Sequence, residues 1–184
     1  MFIIIFDFSW VDSDVIILNP NIKLESFLPN DKMSKVHLIA AYDYWGREDF
    51  CCGLNSGIFF IRVHEWSLNL LMRAISYPYF NLEKEIRLPD QISLNNVLIE
   101  SNEFDHFVIV PQQWFNNFHI KKGEFLYHVM GHSFDKKNKI LKEFLNKTKN
   151  ETDWFTKTNN ETREEVLKYY NLPKNQQINI KIQP

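Results

Sequence analysis

Residues 10–20 read Trp-Val-Asp-Ser-Asp-Val-Ile-Ile-Leu-Asn-Pro, so two apolar runs meet at a pair of carboxylates, Asp12 and Asp14. An extended backbone alternates its faces and would turn both acids to one side. Two ionised carboxylates held together repel each other unless a cation lies between them. Hard divalent ions such as Mg²⁺ and Mn²⁺ favour carboxylates together with phosphate oxygens. The pair is therefore a candidate clamp for a metal carrying a diphosphate. The same residue types also cap surface turns, and Asp-x-Asp alone does not separate the two readings.

Three further segments follow in order. They are Leu54-Asn55-Ser56-Gly57-Ile58-Phe59-Phe60-Ile61-Arg62, Leu88-Pro89-Asp90-Gln91-Ile92-Ser93-Leu94 and Phe125-Leu126-Tyr127-His128-Val129-Met130-Gly131-His132. With the acidic pair, their order and spacing resemble the retaining Golgi galactosyl/mannosyl-transferases of glycosyltransferase family 34. Fungal α-1,2-galactosyltransferases, α-mannosyltransferase subunits and plant xyloglucan xylosyltransferases belong to it. The family pattern Trp-x-Asp-Ala-Asp, a hydrophobic run, then Asn-Pro stands here with Ser13 in the middle place. The likeness covers roughly residues 8–134.

The resemblance implies a fold and a set of roles. The fold is α/β, the C-terminal part of a nucleotide-diphospho-sugar transferase fold: a mixed sheet flanked by helices. Asp12, Asp14 and His128 would hold the metal, with Mn²⁺ preferred to Mg²⁺ because of the imidazole. Asp90 and Gln91 would lie at the reaction centre, the Gln carbonyl beside an oxocarbenium-like transition state. Asn55, Ser56, Gly57 and Gly131 would contact substrate. The implied reaction moves a galactosyl or mannosyl unit from UDP-galactose or GDP-mannose to a glycan acceptor with retention. The implied place is the lumenal side of the Golgi membrane, with association among Golgi transferases.

Each segment also has a plainer reading. Asn55-Ser56-Gly57 can be a turn before a strand. Asp90 and Gln91 can simply open a helix, since an acid favours the first turn. His128 can be a satisfied core histidine, and His132 reads as its neighbour rather than a ligand. Trp114, Phe115 and His119 follow Pro111, where aromatics can stack on a sugar; Phe115 reads as core.

The chain has 184 residues, 45% hydrophobic and 15% aromatic, enough for a globular unit with a real core. A net charge of −2 gives no electrostatic case for nucleic acid. Cys51 and Cys52 are the two cysteines. A bridge between sequence neighbours is strained, so two thiols or an intermolecular bridge are expected, and zinc needs other spacings.

Short apolar runs at 2–6 and 8–11 read as strands, and 15–18 as strand or short helix ended by Pro20. Residues 24–28 form a helical turn and 36–41 a strand. Residues 53–56 read as a turn before a strand at 58–63. A helix runs over 64–77 with Trp66, Leu70, Leu71, Ala74 and Ile75 on one face, ended by Pro78. Pro89 starts a helix to residue 100. Strands at 107–110 and 125–129 precede helices at 136–148 and 160–171, and a polar tail over 176–184 reads as mobile. The catalytic unit would span 1–134, with a helical extension over 135–184.

Residues 2–6 are too short to cross a membrane and lack a signal-peptide layout. The resembled family carries an anchor and a nucleotide-binding βα half before its Asp-x-Asp. Only eleven residues precede Asp12, which reads as a missing or truncated N-terminal half and a poor enzyme. Three Asn-x-Thr sequons, at Asn146, Asn150 and Asn160, agree with a secretory lumen. Two alternatives stand beside the transferase. One is an inactive remnant or scaffold subunit of a Golgi complex. The other is a glycogenin-like retaining transferase, which shares the Asp-x-Asp, Asp-Gln and late His; Asn19-Pro20 favours the Golgi family.

Overall fold

Strand β4 (Gly53–Ile61) is the axis of the main sheet in the computed structural model, which describes residues 8–44, 53–83, 86–151 and 153–183. It pairs antiparallel with β1 (Phe8–Val11) on one side and with β3 (Leu38–Asp43) on the other. Strand β5 (Phe107–Val110) pairs parallel with β3, giving the order β1-β4-β3-β5. Three strands therefore run one way and β4 runs against them. A second, two-stranded sheet joins β2 (Val15–Ile17) to β6 (Leu126–His128). The architecture is α/β, a mixed sheet flanked by helices.

Both faces of β3 are covered, which explains its unbroken apolar run. Leu38 and Ala40 face helices α1 (Glu65–Phe80) and α2 (Pro89–Glu100), against Leu70, Leu94 and Leu98. Ile39 and Ala41 face the opposite layer, where Phe27, Trp114, Phe115, Val166 and Tyr170 gather. Phe115 is fully buried, 4.8 Å from the Phe27 ring and 5.1 Å from Phe60. Truncating it to Ala would cost about 3–5 kcal/mol. Trp114 is also core, its indole N–H donating to Glu165 on helix α5 (Asn159–Tyr170). Both aromatics come from the short helix α3 (Gln112–Phe115). Helix α4 (Phe134–Asn150) covers the small sheet, burying Phe144 with Leu18, Tyr127 and Trp154.

Several expectations need correction. Residues 53–56 are not a turn but the start of β4. Gly53 and Leu54 pair with Asp43 and Tyr42 of β3, and residues 58–61 pair with β1, so the extended run carries through the segment despite the turn preference of Gly, Asn and Ser. The local preference survives as an irregularity: Ala40 faces Phe59 while Tyr42 faces Leu54, so residues 55–58 are extruded as a bulge. Pro78 does not end α1, because it sits in the last turn and Asn81 caps the carbonyls of Tyr77 and Pro78. Ile75 lies on the exposed side of α1. The tail is fastened rather than loose. Ile178 bridges to Ile109, Ile178 and Ile180 pack on the core, and Asn95 and Asn96 of α2 bond the backbone of Lys181 and Gln183. The strand expected at 2–6 and the cysteines Cys51 and Cys52 lie outside the described residues. No described helix is long and apolar enough to cross a membrane.

Candidate metal centre

The centre forms where strands end. Strand β1 stops at Val11, and the chain passes through Asp12 and a Ser13–Asp14 turn into β2. Asp12 and Asp14 are thus not on a strand, correcting the extended-backbone expectation. Two backbone bonds fix them instead: Asp12 N–H donates to Gly57 C=O (2.8 Å), and Asp14 C=O accepts from Val129 N–H (2.9 Å). The β2–β6 register sets Val15 opposite His128, bringing the imidazole beside the acids.

His128 Nε2 lies 3.3 Å from Asp14 Oδ1 and 3.9 Å from Asp12 Oδ2. The three residues offer one donor atom each, all within 4.8 Å of one another, and can hold a metal ion. His128 is buried, while both acids are partly open to solvent. Gly57 makes room for them. A Cβ there would fall 2.4 Å from His128 Cε1 and 3.0 Å from Asp12 Oδ2.

Around these ligands runs a chain of amides. Asp43 is a buried carboxylate at the end of β3, accepting from Asn116 Nδ2 and Gln91 Nε2, each at 2.9 Å. Since a carboxylate only accepts, the Asn116 amide must aim its NH₂ at Asp43 and its oxygen at His128. That oxygen is 3.0 Å from His128 Nδ1. The proton therefore sits on Nδ1, and Nε2 faces the acids. Nε2 lies among the carboxylate oxygens, and two oxygens with one imidazole nitrogen form a donor set that can hold a divalent metal.

One positive group is already present. Lys137 of α4 puts Nζ 2.6 Å from Asp14 Oδ2. Burial pushes the Asp14 carboxyl up, but the Lys137 hydrogen bond and the charges of His128 and Lys137 outweigh it and hold it below its usual range. Gly131 adopts φ 69° in the turn that leads from β6 to α4. Trp10 Nε1 donates to Asp12 Oδ1 at 3.0 Å.

The expected reaction-centre residues gather beside the bulge of β4. Gln91 Oε1 accepts from Asn55 Nδ2 and Ser56 N, both at 3.3 Å. With its nitrogen on Asp43, both ends of the Gln91 amide are engaged. Asn55 is buried and its oxygen accepts from Gly57 N–H, so it shapes the bulge. Ser56 Oγ donates to Asp90 Oδ2 at 2.8 Å, and these two groups face solvent. His132 is not in the ligand group, and His119 is exposed.

Asp43, Asn116 and Lys137 were not visible as site residues in the sequence. Asn116 and Asp43 are 73 positions apart and belong to no spaced motif. Asp43 carried one signal, an acid closing an apolar strand. Comparison with protein-family models, curated proteins and solved structures returns no match.

Proposed function

We propose that this chain carries the reaction centre of a retaining, Mn²⁺-dependent hexosyltransferase with a nucleotide-diphospho-sugar transferase fold. It would move galactose or mannose from a sugar nucleotide to a glycan in the Golgi lumen. The observation that supports this reading is the convergence of Asp12, Asp14 and His128 with the tautomer set by Asn116. The site also sits beyond the C-terminal ends of β1 and β3, the usual ligand edge of α/β sheets.

A metal held there would neutralise charge on a departing nucleoside diphosphate. The residues of the chain do the rest. Asp12 and Asp14 present oxygens, and His128 presents Nε2. Asp90 and Ser56 stand open beside them to orient donor or acceptor hydroxyls. Gln91 is tied into the Asp43 network, so it acts first as a positioning residue; a role at the anomeric carbon requires its amide to leave Asn55 and Ser56. In the transfer, the anomeric C–O bond to diphosphate breaks and a bond to the acceptor oxygen forms on the same face. The hydroxyl proton leaves with the diphosphate.

A second reading, a subunit that holds no metal, is favoured by Lys137, whose ammonium satisfies Asp14 without any ion. Titration with Mn²⁺, alone and with UDP or GDP, decides between them. Saturable Mn²⁺ binding that tightens with nucleotide and vanishes in Asp14→Asn supports the transferase. No Mn²⁺ binding supports the scaffold. Transfer from UDP-galactose or GDP-mannose to a galactoside or mannoside would complete the case.

A further inference from the structure

A groove of about 530 Å³ opens directly beside the metal centre, a size typical of small-molecule sites. It is amphipathic along its length. Among the described residues, Asp12, Ser56 and Asp90 are its polar members. The other described members are apolar: Trp10 and Phe59 come from β1 and β4, and Leu71, Ile75 and Leu94 are among those from α1 and α2. The Trp10 and Phe59 rings lie nearly parallel, 13° apart with centroids 6.3 Å apart. Trp10 is more than half exposed, and its indole N–H is already given to Asp12. It therefore offers a ring face to a ligand and no hydrogen bond.

A polysaccharide lying in this groove would leave its hydroxyls against aliphatic carbon, a desolvation cost with no compensating partners. A ligand with one hydroxylated end and one hydrocarbon end fits both parts. We propose that the groove is the acceptor subsite and takes an alkyl glycoside, its sugar at Ser56 and Asp90 and its hydrocarbon chain against Trp10 and helix α1. This rests on the transferase reading for the word acceptor; the amphipathic ligand follows from the groove itself.

The test titrates the full chain with n-octyl and methyl β-D-galactopyranoside, and with the matching mannosides, below micellar concentration, following tryptophan fluorescence. Octyl should bind at least about tenfold tighter than methyl, since buried methylenes add affinity. Ile75→Glu changes an exposed groove residue and should bring octyl down to the methyl level. Leu68→Glu, exposed on the same helix but outside the groove, should leave the preference intact. Equal binding of octyl and methyl, or an unchanged preference in Ile75→Glu, overturns the proposal. So does a wild-type dimer that Ile75→Glu makes monomeric, which would give the groove to a second copy. Mn²⁺-dependent transfer to methyl and octyl glycosides at equal efficiency overturns the subsite and keeps the transferase. An octyl preference in a chain that binds neither Mn²⁺ nor nucleotide keeps the amphipathic site and overturns the transferase.

Discussion

Asn116 Oδ1 and His128 Nδ1 lie 3.0 Å apart in the buried interior, and this contact decides which imidazole nitrogen faces Asp12 and Asp14. Its orientation is inherited from Asp43, so a buried carboxylate acts on the centre through Asn116.

Replacing Asn116 with Ala should weaken Mn²⁺ binding by about 10–100-fold, the usual cost of losing a residue that orients a histidine ligand. The imidazole would be free to turn or change tautomer. Calorimetric titration measures the loss, with circular dichroism confirming the fold. Unchanged affinity in a folded variant would remove Asn116 from the account.

Lys137→Met should act in the opposite direction. Its ammonium is bonded to Asp14, so an incoming ion competes with it. Without it, Mn²⁺ should bind more tightly. The Asp14 carboxyl should rise toward its ordinary value, because the Lys137 bond and charge that lower it are gone. Binding would then fail at a higher pH on acidification. Weaker binding in Lys137→Met would mean that the lysine helps to hold the ion's partners instead.

Gly57→Ala is expected to damage the centre even though alanine is small. The added methyl would overlap His128 Cε1 and crowd Asp12. We expect a loss of about 1–3 kcal/mol in stability, as for other overpacked interiors, together with loss of Mn²⁺ binding. A thermal melt and a metal titration on the same sample test both. A stable, metal-binding Gly57→Ala protein would show that the ring can move aside freely.

His37 gives a pH prediction away from the centre. It is buried in a stack with His64, His106 and Trp66, its ring 4.0 Å from that of His64. Burial first, then the charges of His64, Arg62 and His106, push it down from 6.5 to about 4. Between those values the unfolded chain binds the proton more readily than the folded one. Stability from a neutral His37 is therefore present above pH 6.5 and drains away as pH falls toward 4. Melting temperature should decline over that window, and His37→Phe, which keeps the stack, should flatten the decline. An equally steep slope in His37→Phe would assign the effect elsewhere.

Much of the fold was legible where a segment's fate is local. Pro89 at a helix start, the apolar run of β5 and the two C-terminal helices follow from short-range rules. The fastening of the polar tail is not legible in the sequence, because its anchors, Asn95 and Asn96, lie more than eighty positions upstream. Asn55-Ser56-Gly57 reads as a turn because single-residue preference does not register the flanking strand pairs or the Gln91 and Asp12 bonds that hold the segment within β4. At the centre, Asp12 and Asp14 could be picked out by type and spacing, and His128 only through the family resemblance. Asp43, Asn116 and Lys137 could not, since each gains its meaning from a partner that only folding supplies.

The donors of the centre are far apart in the chain, His128 lying more than a hundred positions beyond Asp14. An ion held among them would be a removable cross-link. It would close a loop spanning most of the described chain, from the β1–β2 turn to the end of β6. Because its donors meet only in the folded chain, the ion would leave on unfolding, and its binding free energy would add to that of folding. The ion would therefore set how firmly the whole sheet resists unfolding, and chelation would loosen strands that never touch it.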